Sequence, residues 1–117
     1  MCRAEMMNQP DDILVVMVTA ASMDEATRIS EGVVKARLAA CATTIPTVQS
    51  MYWWEGKIAS ERESMIVLKT TRSRYPELEN MIRAMHSYKV PEIIAVQTCA
   101  GSMAYVQWVR DETTGST

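Results

Sequence analysis

The sequence of 117 residues has no phenylalanine, one histidine and only seven aromatic residues in all. It also lacks a long apolar run, since the longest, at 13–18, falls far short of the ~20 residues that a membrane-spanning helix needs. The N-terminus Met1-Cys2-Arg3-Ala4-Glu5 lacks the apolar stretch of a secretory signal peptide. These absences predict a protein that neither crosses a membrane nor is secreted, and we expect it in the cytoplasm.

Neither sign of charge dominates, and the cysteines form no motif. The net charge is -2, and lysine and arginine do not cluster, which argues against a nucleic-acid surface because phosphate neutralisation needs several cations together. Cys2, Cys41 and Cys99 lie far apart without C-x-x-C spacing. We therefore predict reduced thiols, with no disulfide framework and no zinc knuckle.

Three of the few aromatic residues stand together as Tyr52-Trp53-Trp54, directly before Glu55-Gly56. The flanking segments are apolar and β-branched, and an X-Gly pair favours a tight hairpin turn. The predicted ribbon is longer than a globule of this size, unless Pro46 bends or bulges its first arm. The aromatic side chains at its tip are unfavourable in water, so we expect a neighbouring subunit to bury them. The alternative folds the tip back onto its own sheet.

The patterns along the chain predict the order strand, helix, strand, strand, helix, strand, and then a short helix. Ser22 and Glu25 form a capping box at the start of the first helix, and Ser102 caps the last one. This βαββαβ order gives an α+β, ferredoxin-like fold, a four-stranded antiparallel sheet with two helices on one face. We predict one domain over 12–112, with flexible tails at 1–11 and 113–117. The same fold carries many functions.

Four strings occur in the order and spacing of one known family: Ala39-Ala40-Cys41-Ala42, the segment 52–58 (YWWEGKI), Leu68-Lys69-Thr70-Thr71 and the segment 86–94 (HSYKVPEII). In these the chain resembles the CutA divalent-cation tolerance family. The resemblance implies a ferredoxin-like homotrimer similar to the nitrogen-regulatory PII signal proteins. It also implies an association with tolerance to copper and other divalent metals.

His86 and Cys41 are the candidate metal ligands. A cysteine thiolate is a soft ligand that suits copper, although a free cysteine is commonly a small buried side chain. His86 stands where the resemblance places a ligand, but a histidine at a helix end can also simply satisfy a carbonyl. Where copper-binding members carry a cysteine and a second histidine, this chain has Val18 and Met85. We therefore expect copper or another divalent cation to bind only weakly.

The resemblance further implies a cleft between subunits. Glu61, Glu63 and Lys69 alternate onto one face of the returning arm, where solvated charges are the ordinary interpretation. In the family the matching residues line the cleft, with Lys69 as the fixed positive charge for a small anionic metabolite. Carried over by motif, and together with His86, they are Trp54, Glu61, Lys69, Tyr88 and Glu92.

The sequence contains no recognisable hydrolytic or redox motif and no glycine-rich phosphate loop. We therefore expect a homotrimeric binding protein linked to metal tolerance, with Tyr52, Trp53 and Trp54 in its interfaces, and not an enzyme. The first alternative is a small-molecule sensor that works like PII proteins. The second is an enzyme that uses the cleft residues.

Overall fold

The computed structural model describes residues 8–114, and its element order confirms the predicted one. The helices and strands are β1 (Ile13–Ala20), α1 (Met23–Lys35), β2 (Cys41–Trp54), β3 (Lys57–Thr71), α2 (Tyr75–Met85), β4 (Ile93–Gln97) and α3 (Met103–Glu112). Within the described residues, no helix is both long and apolar enough to cross a bilayer.

The sheet has the order β2-β3-β1-β4, and every neighbouring pair is antiparallel. This is the predicted ferredoxin-like arrangement, in which β1 and β3 lie at the centre. Alternate residues of these strands point to one face, which α1 and α2 cover. The core between them holds buried side chains from the two helices and the two central strands: Leu14, Val16, Val18, Ile66, Leu68, Ala26, Ile29, Val33, Leu78 and Ile82.

The start of α1 confirms half of the predicted capping box. The Glu25 amide donates to Ser22 Oγ over 3.1 Å, as an N-cap serine requires. A capping box also predicts a reciprocal bond from the Ser22 amide to the Glu25 carboxylate. That prediction is wrong, because Glu25 Oε1 accepts from the Ala21 amide at 2.9 Å. The other carboxylate oxygen accepts from the Ser87 amide at 2.6 Å, so Glu25 links α1 to the segment after α2.

Gly32 lies inside α1, where glycine is a poor helix former, and the structure gives it a packing role. A Cβ at this position would lie 3.1 Å from Sδ of Met85, the last residue of α2. Absence of a side chain therefore lets the two helices approach closely. The helix ends at Lys35.

The hairpin forms as predicted, and it projects. Glu55 and Gly56 have φ of 50° and 78°, the left-handed pair of a type I′ turn. The register of β2 shifts between Ile45 and Val48, where Pro46 cannot donate to the ladder. Pairing of β3 with β1 stops at Ser64, so beyond it the ribbon has only two strands.

The size of the molecule agrees with a projecting ribbon. The radius of gyration is 15.0 Å, whereas a globule of this length has about 13 Å. Trp53 and Trp54 at the tip are 73% and 55% exposed. The alternative in which the tip folds back onto its own sheet is therefore wrong.

The second face of the sheet is only partly covered. Helix α3 packs on one corner, where Val109 meets Ile13 and Ala40. Elsewhere on this face, side chains from all four strands are half-buried or exposed, together with Trp108 of α3. We call them the open face: Val15, Met17, Ile45, Met65, Val67, Ile94, Val96 and Trp108.

The contacts near both predicted domain boundaries are ordered, and the prediction for one thiol needs revision. The Ser73 amide donates to Pro10 O and Thr113 is buried, so ordered contacts reach past residues 12 and 112. The remainder of the predicted tails, 1–7 and 115–117, lies outside the described residues, as does Cys2. Cys41 is a free thiol, but Cys99 is disulfide-bonded, so the prediction of reduced thiols is wrong at that position.

Candidate functional site

His86 lies at the end of α2 with its side chain fully buried. Its Nε2 is 2.7 Å from the carbonyl oxygen of Thr19, and its Nδ1 accepts from the Tyr88 amide at 3.0 Å. This pattern assigns a neutral imidazole with its proton on Nε2. Neither nitrogen keeps a lone pair for a metal ion. The interpretation of His86 as a residue that satisfies a carbonyl therefore agrees with the structure.

Glu25 lies beside His86, with its Oε2 at 3.8 Å from Nδ1, and only 3% of the residue is exposed. Burial by itself raises the pKa of this carboxyl, but the hydrogen bonds from the Ala21 and Ser87 amides outweigh burial and lower the pKa overall. A charged carboxylate is thus held inside the protein by backbone donors. The sequence showed Glu25 only as a helix cap and gave no sign of its contact with Ser87.

Tyr88 connects this network to the base of the ribbon. Its hydroxyl donates to Oε2 of Glu63 over 2.8 Å, and its ring packs against His86 with centroids 4.8 Å apart. Burial, and then the Glu63 carboxylate, raise the pKa of Tyr88 strongly, so the phenol stays a donor at neutral pH. Glu63 is buried and is not the solvated strand charge that the alternation suggested.

Cys41 belongs to a second cluster, at the end of β3 near Thr71. Its sulfur lies 4.0 Å from Nζ of Lys69 and 3.5 Å from the hydroxyl of Tyr105. The hydrogen bond to Cys41, and then burial, raise the pKa of Tyr105 to about 12. Tyr105 comes from α3, which crosses this corner of the open face. Sequence analysis missed it because 64 residues separate the two side chains.

The structure does not bring the two predicted metal ligands together. Lys69 beside Cys41 pairs with Val15, whereas Thr19 beside His86 pairs with Met65. Four residues along a strand correspond to roughly 13 Å. Within residues 8–114, His, Cys, Asp and Glu form no group of three or more that could hold a metal ion. His86 and Cys41 of one chain therefore lie too far apart to share one metal ion, and their assignment as ligands stays a prediction for an assembly of several copies.

The predicted cleft residues are also spread over one chain. Glu61, Glu92 and Trp54 are exposed. Trp54 pairs with Lys57 at the tip, and the strand from Lys57 to Lys69 spans roughly 40 Å. If Trp54 and Lys69 line one cleft, the tryptophan must come from another copy of the chain.

Known proteins resemble this chain over nearly its whole folded part. The sequence model of the CutA1 divalent ion tolerance protein family matches residues 14–112. The Divalent-cation tolerance protein CutA of Thermus thermophilus is 36% identical over 85% of this chain and 96% of its own length. Human Protein CutA is 38% identical over 89% of this chain. The chain spans only 58% of the human protein and little more than half of the similar rice and Arabidopsis proteins.

Solved structures give the same result. The Thermus thermophilus divalent cation tolerance protein superimposes with a TM-score of 0.85 at 36% identity, over 86% of this chain and 98% of its own. CutA1 of Shewanella sp. SIB1 gives a TM-score of 0.86 at 34% identity, over 92% and 99%. One similar structure is described as periplasmic and two plant relatives as chloroplastic, so the names of these proteins point to more than one compartment.

Proposed function

The chain belongs to the CutA1 divalent ion tolerance protein family, and from this premise we propose that it is a homotrimeric binding protein in divalent-metal tolerance, not an enzyme. The observation that carries the proposal is the pairing of an uncovered apolar sheet face with a ribbon that reaches past its own globule. Within one chain, both would expose large apolar side chains to water. Association of identical copies covers them.

The geometry favours a closed ring of copies. The open face and the aromatic tip are different surfaces of one chain, so a contact between them is heterologous, and such contacts close only when repeated around an axis. The tip lies roughly 40 Å along the strand from Lys69. It therefore reaches the region that a neighbouring copy would occupy. The homotrimer that the family resemblance implies sets the expected number at three.

We expect a single species of about 39 kDa in solution, three times the chain mass of 13.1 kDa, because a closed ring of three satisfies every copy equally. Sedimentation equilibrium at micromolar concentration measures this mass directly. A compact species of 13.1 kDa as the only component would contradict the proposal.

The part of one chain that the structure describes contains no group of three or more His, Cys, Asp and Glu that could hold a metal ion, so tight binding by a single copy is not expected. Of the two predicted ligands, His86 has both nitrogens engaged, whereas Cys41 is a free thiol of the soft kind that suits copper. Any stronger site must combine ligands from several copies. We propose that contact with copper or another divalent cation is weak and takes place in the assembly.

Calorimetric titration of the reduced protein with Cu(II) and Zn(II) should give dissociation constants no tighter than about 1 µM, because residues 8–114 of one chain bring no three such ligands together. Cys41→Ser should weaken what binding there is. His86→Ala should leave the metal affinity unchanged. This variant tests whether the imidazole of His86 serves the fold and not the metal. Tight stoichiometric binding that His86→Ala abolishes would contradict this assignment.

A small-molecule sensor is the second candidate, and Lys69 favours it. Within the described residues, Lys69 makes no ion pair, and its polar partner is the Cys41 sulfur at 4.0 Å. A half-buried ammonium without a carboxylate is suited to an anionic ligand. A metabolite screen read by melting temperature discriminates this candidate from the first, because ligand binding raises apparent stability. Turnover of any hit would support the third candidate, an enzyme.

A further inference from the structure

A separate cavity lies at the corner where the segment before β1, the end of β3 and the C-terminus of α3 meet. Its volume is about 390 Å³, within the range of small-molecule sites. Its lining is rich in hydroxyl and guanidinium groups, and we call it the arginine pocket: Pro10, Asp11, Thr71, Ser73, Arg74, Arg110, Thr113 and Thr114. Lys69 and the other predicted cleft residues are not among them.

The charge of the arginine pocket is positive in a protein whose net charge is -2. Arg74 and Arg110 outnumber Asp11 among its lining residues. The carboxylates beside these arginines are mostly in solvent, since the side chains of Asp11 and Glu77 are 65% and 67% exposed. Exposed ion pairs of this kind are weak, so a ligand anion can compete with them.

Both guanidinium groups are held in place and still have donors to offer. Nε of Arg110 donates to Asp11 O over 3.0 Å. Its two terminal nitrogens make no hydrogen bond within the described residues. Arg74 uses Nε on Arg37 O and Nη1 on Glu77, each at 3.4 Å, which leaves Nη2. Anchoring at Nε reduces the entropy that these side chains would lose on binding a ligand.

Hydroxyl groups complete the donor set. Thr71 Oγ1 and Ser73 Oγ are 3.2 Å apart, and because one donates to the other, one hydroxyl proton remains for a ligand. Thr71 is buried and so fixes this pair at the wall. The hydroxyl pair, Arg74 at the N-cap of α2 and Arg110 of α3 thus all belong to the lining of one cavity. Planar guanidinium groups with a hydroxyl are the donors that bind phosphate oxygens.

We propose that the arginine pocket binds a small phosphorylated metabolite, with the phosphate between Arg74 and Arg110. The volume exceeds that of a phosphate ion, so a body about the size of a pentose fits as well. This site is independent of the metal and of the cleft at Lys69. It would give the protein a second ligand whose recognition depends on phosphate charge.

Ribose 5-phosphate serves as the probe, and ribose is its uncharged control. Titration into the full chain, at constant ionic strength and with chelator present, should give saturable calorimetric binding for the phosphorylated sugar only. Arg74→Gln and Arg110→Gln should each weaken it at least about tenfold, the usual effect of losing a charge-assisted hydrogen bond. Arg83→Gln, at an exposed arginine of α2 that pairs with Glu79, and Lys69→Gln should leave it unchanged.

Amide chemical shifts of the wild-type protein locate the ligand even if an arginine variant fails to fold. Ribose 5-phosphate should shift the signals of Ser73, Thr113 and their neighbours. Equal binding of ribose, unchanged affinity in both arginine variants, or shifts confined to residues around Lys69 would each overturn the proposal. None of these results depends on metal binding or on the number of copies, so failure here leaves the proposed function standing.

Discussion

Replacing Trp53 and Trp54 together by serine is expected to dissociate the proposed trimer while each chain stays folded. The two rings are 73% and 55% exposed in the single chain, so they contribute little to its own core. As aromatic anchors in an interface, each is worth about 2 kcal/mol or more. Losing both from each copy should weaken association by roughly 1,000-fold or more. Sedimentation measures the mass, and circular dichroism checks the fold.

Met23→Ser is the matched control. Met23 is also a large exposed apolar residue, but it lies at the start of α1, in the helix layer on the opposite side of the sheet from the open face. This variant should keep the mass of the wild type. A double tryptophan variant that remains trimeric at nanomolar concentration would show that the ribbon tip is not an interface anchor.

Glu25→Ala is expected to give the largest loss of folding stability among the single substitutions considered. The change removes the acceptor of the Ala21 and Ser87 amides. Hydrogen bonds to a charged group are worth about 1.5–3 kcal/mol each, and buried donors left without a partner are costly. We expect a loss of about 3 kcal/mol in the free energy of unfolding, measured by urea denaturation at fixed protein concentration. Glu31→Ala, at an exposed glutamate of the same helix, should change it little.

The same carboxylate gives the stability a defined dependence on pH. The pKa of Glu25 is lower in the folded protein than its ordinary value of 4.5, so folding favours the ionised form. Its contribution is therefore complete above pH 4.5 and is lost as the pH falls through the folded pKa. Wild type and Glu25→Ala should differ most at neutral pH and converge in acid. A constant difference from pH 7 to pH 3 would contradict the role assigned to this charge.

Local chemistry explains what could be predicted of the fold. Glu55-Gly56 has left-handed φ values because that pair favours the turn that matches strand twist. Ser22 and Ser102 cap their helices because each hydroxyl reaches an amide three residues on. Such signals act over a few residues, so they can be recognised in the sequence. Together they predict the element order and the ferredoxin-like topology.

The site residues depend on contacts that no local pattern reveals. Glu25 and Ser87 lie 62 residues apart, and Cys41 and Tyr105 lie 64 apart. Only helix packing and the crossing of α3 bring them together. The motif suggested His86 as a metal ligand. A motif contains the same histidine whether its side chain binds a metal ion or satisfies a carbonyl. Its two hydrogen bonds, which occupy both nitrogens, exist only in the folded chain.

The order of the elements, the hairpin with its aromatic tip and the family can all be inferred from the amino acids alone, because these features depend on short-range chemistry and on motifs in fixed order. Three features follow only from the folded chain: the ribbon projects, Glu25 is a buried charge that accepts from a distant segment, and Arg74 and Arg110 line one cavity. Burial and lone-pair occupancy depend on neighbours remote along the chain, and so no local pattern reveals them.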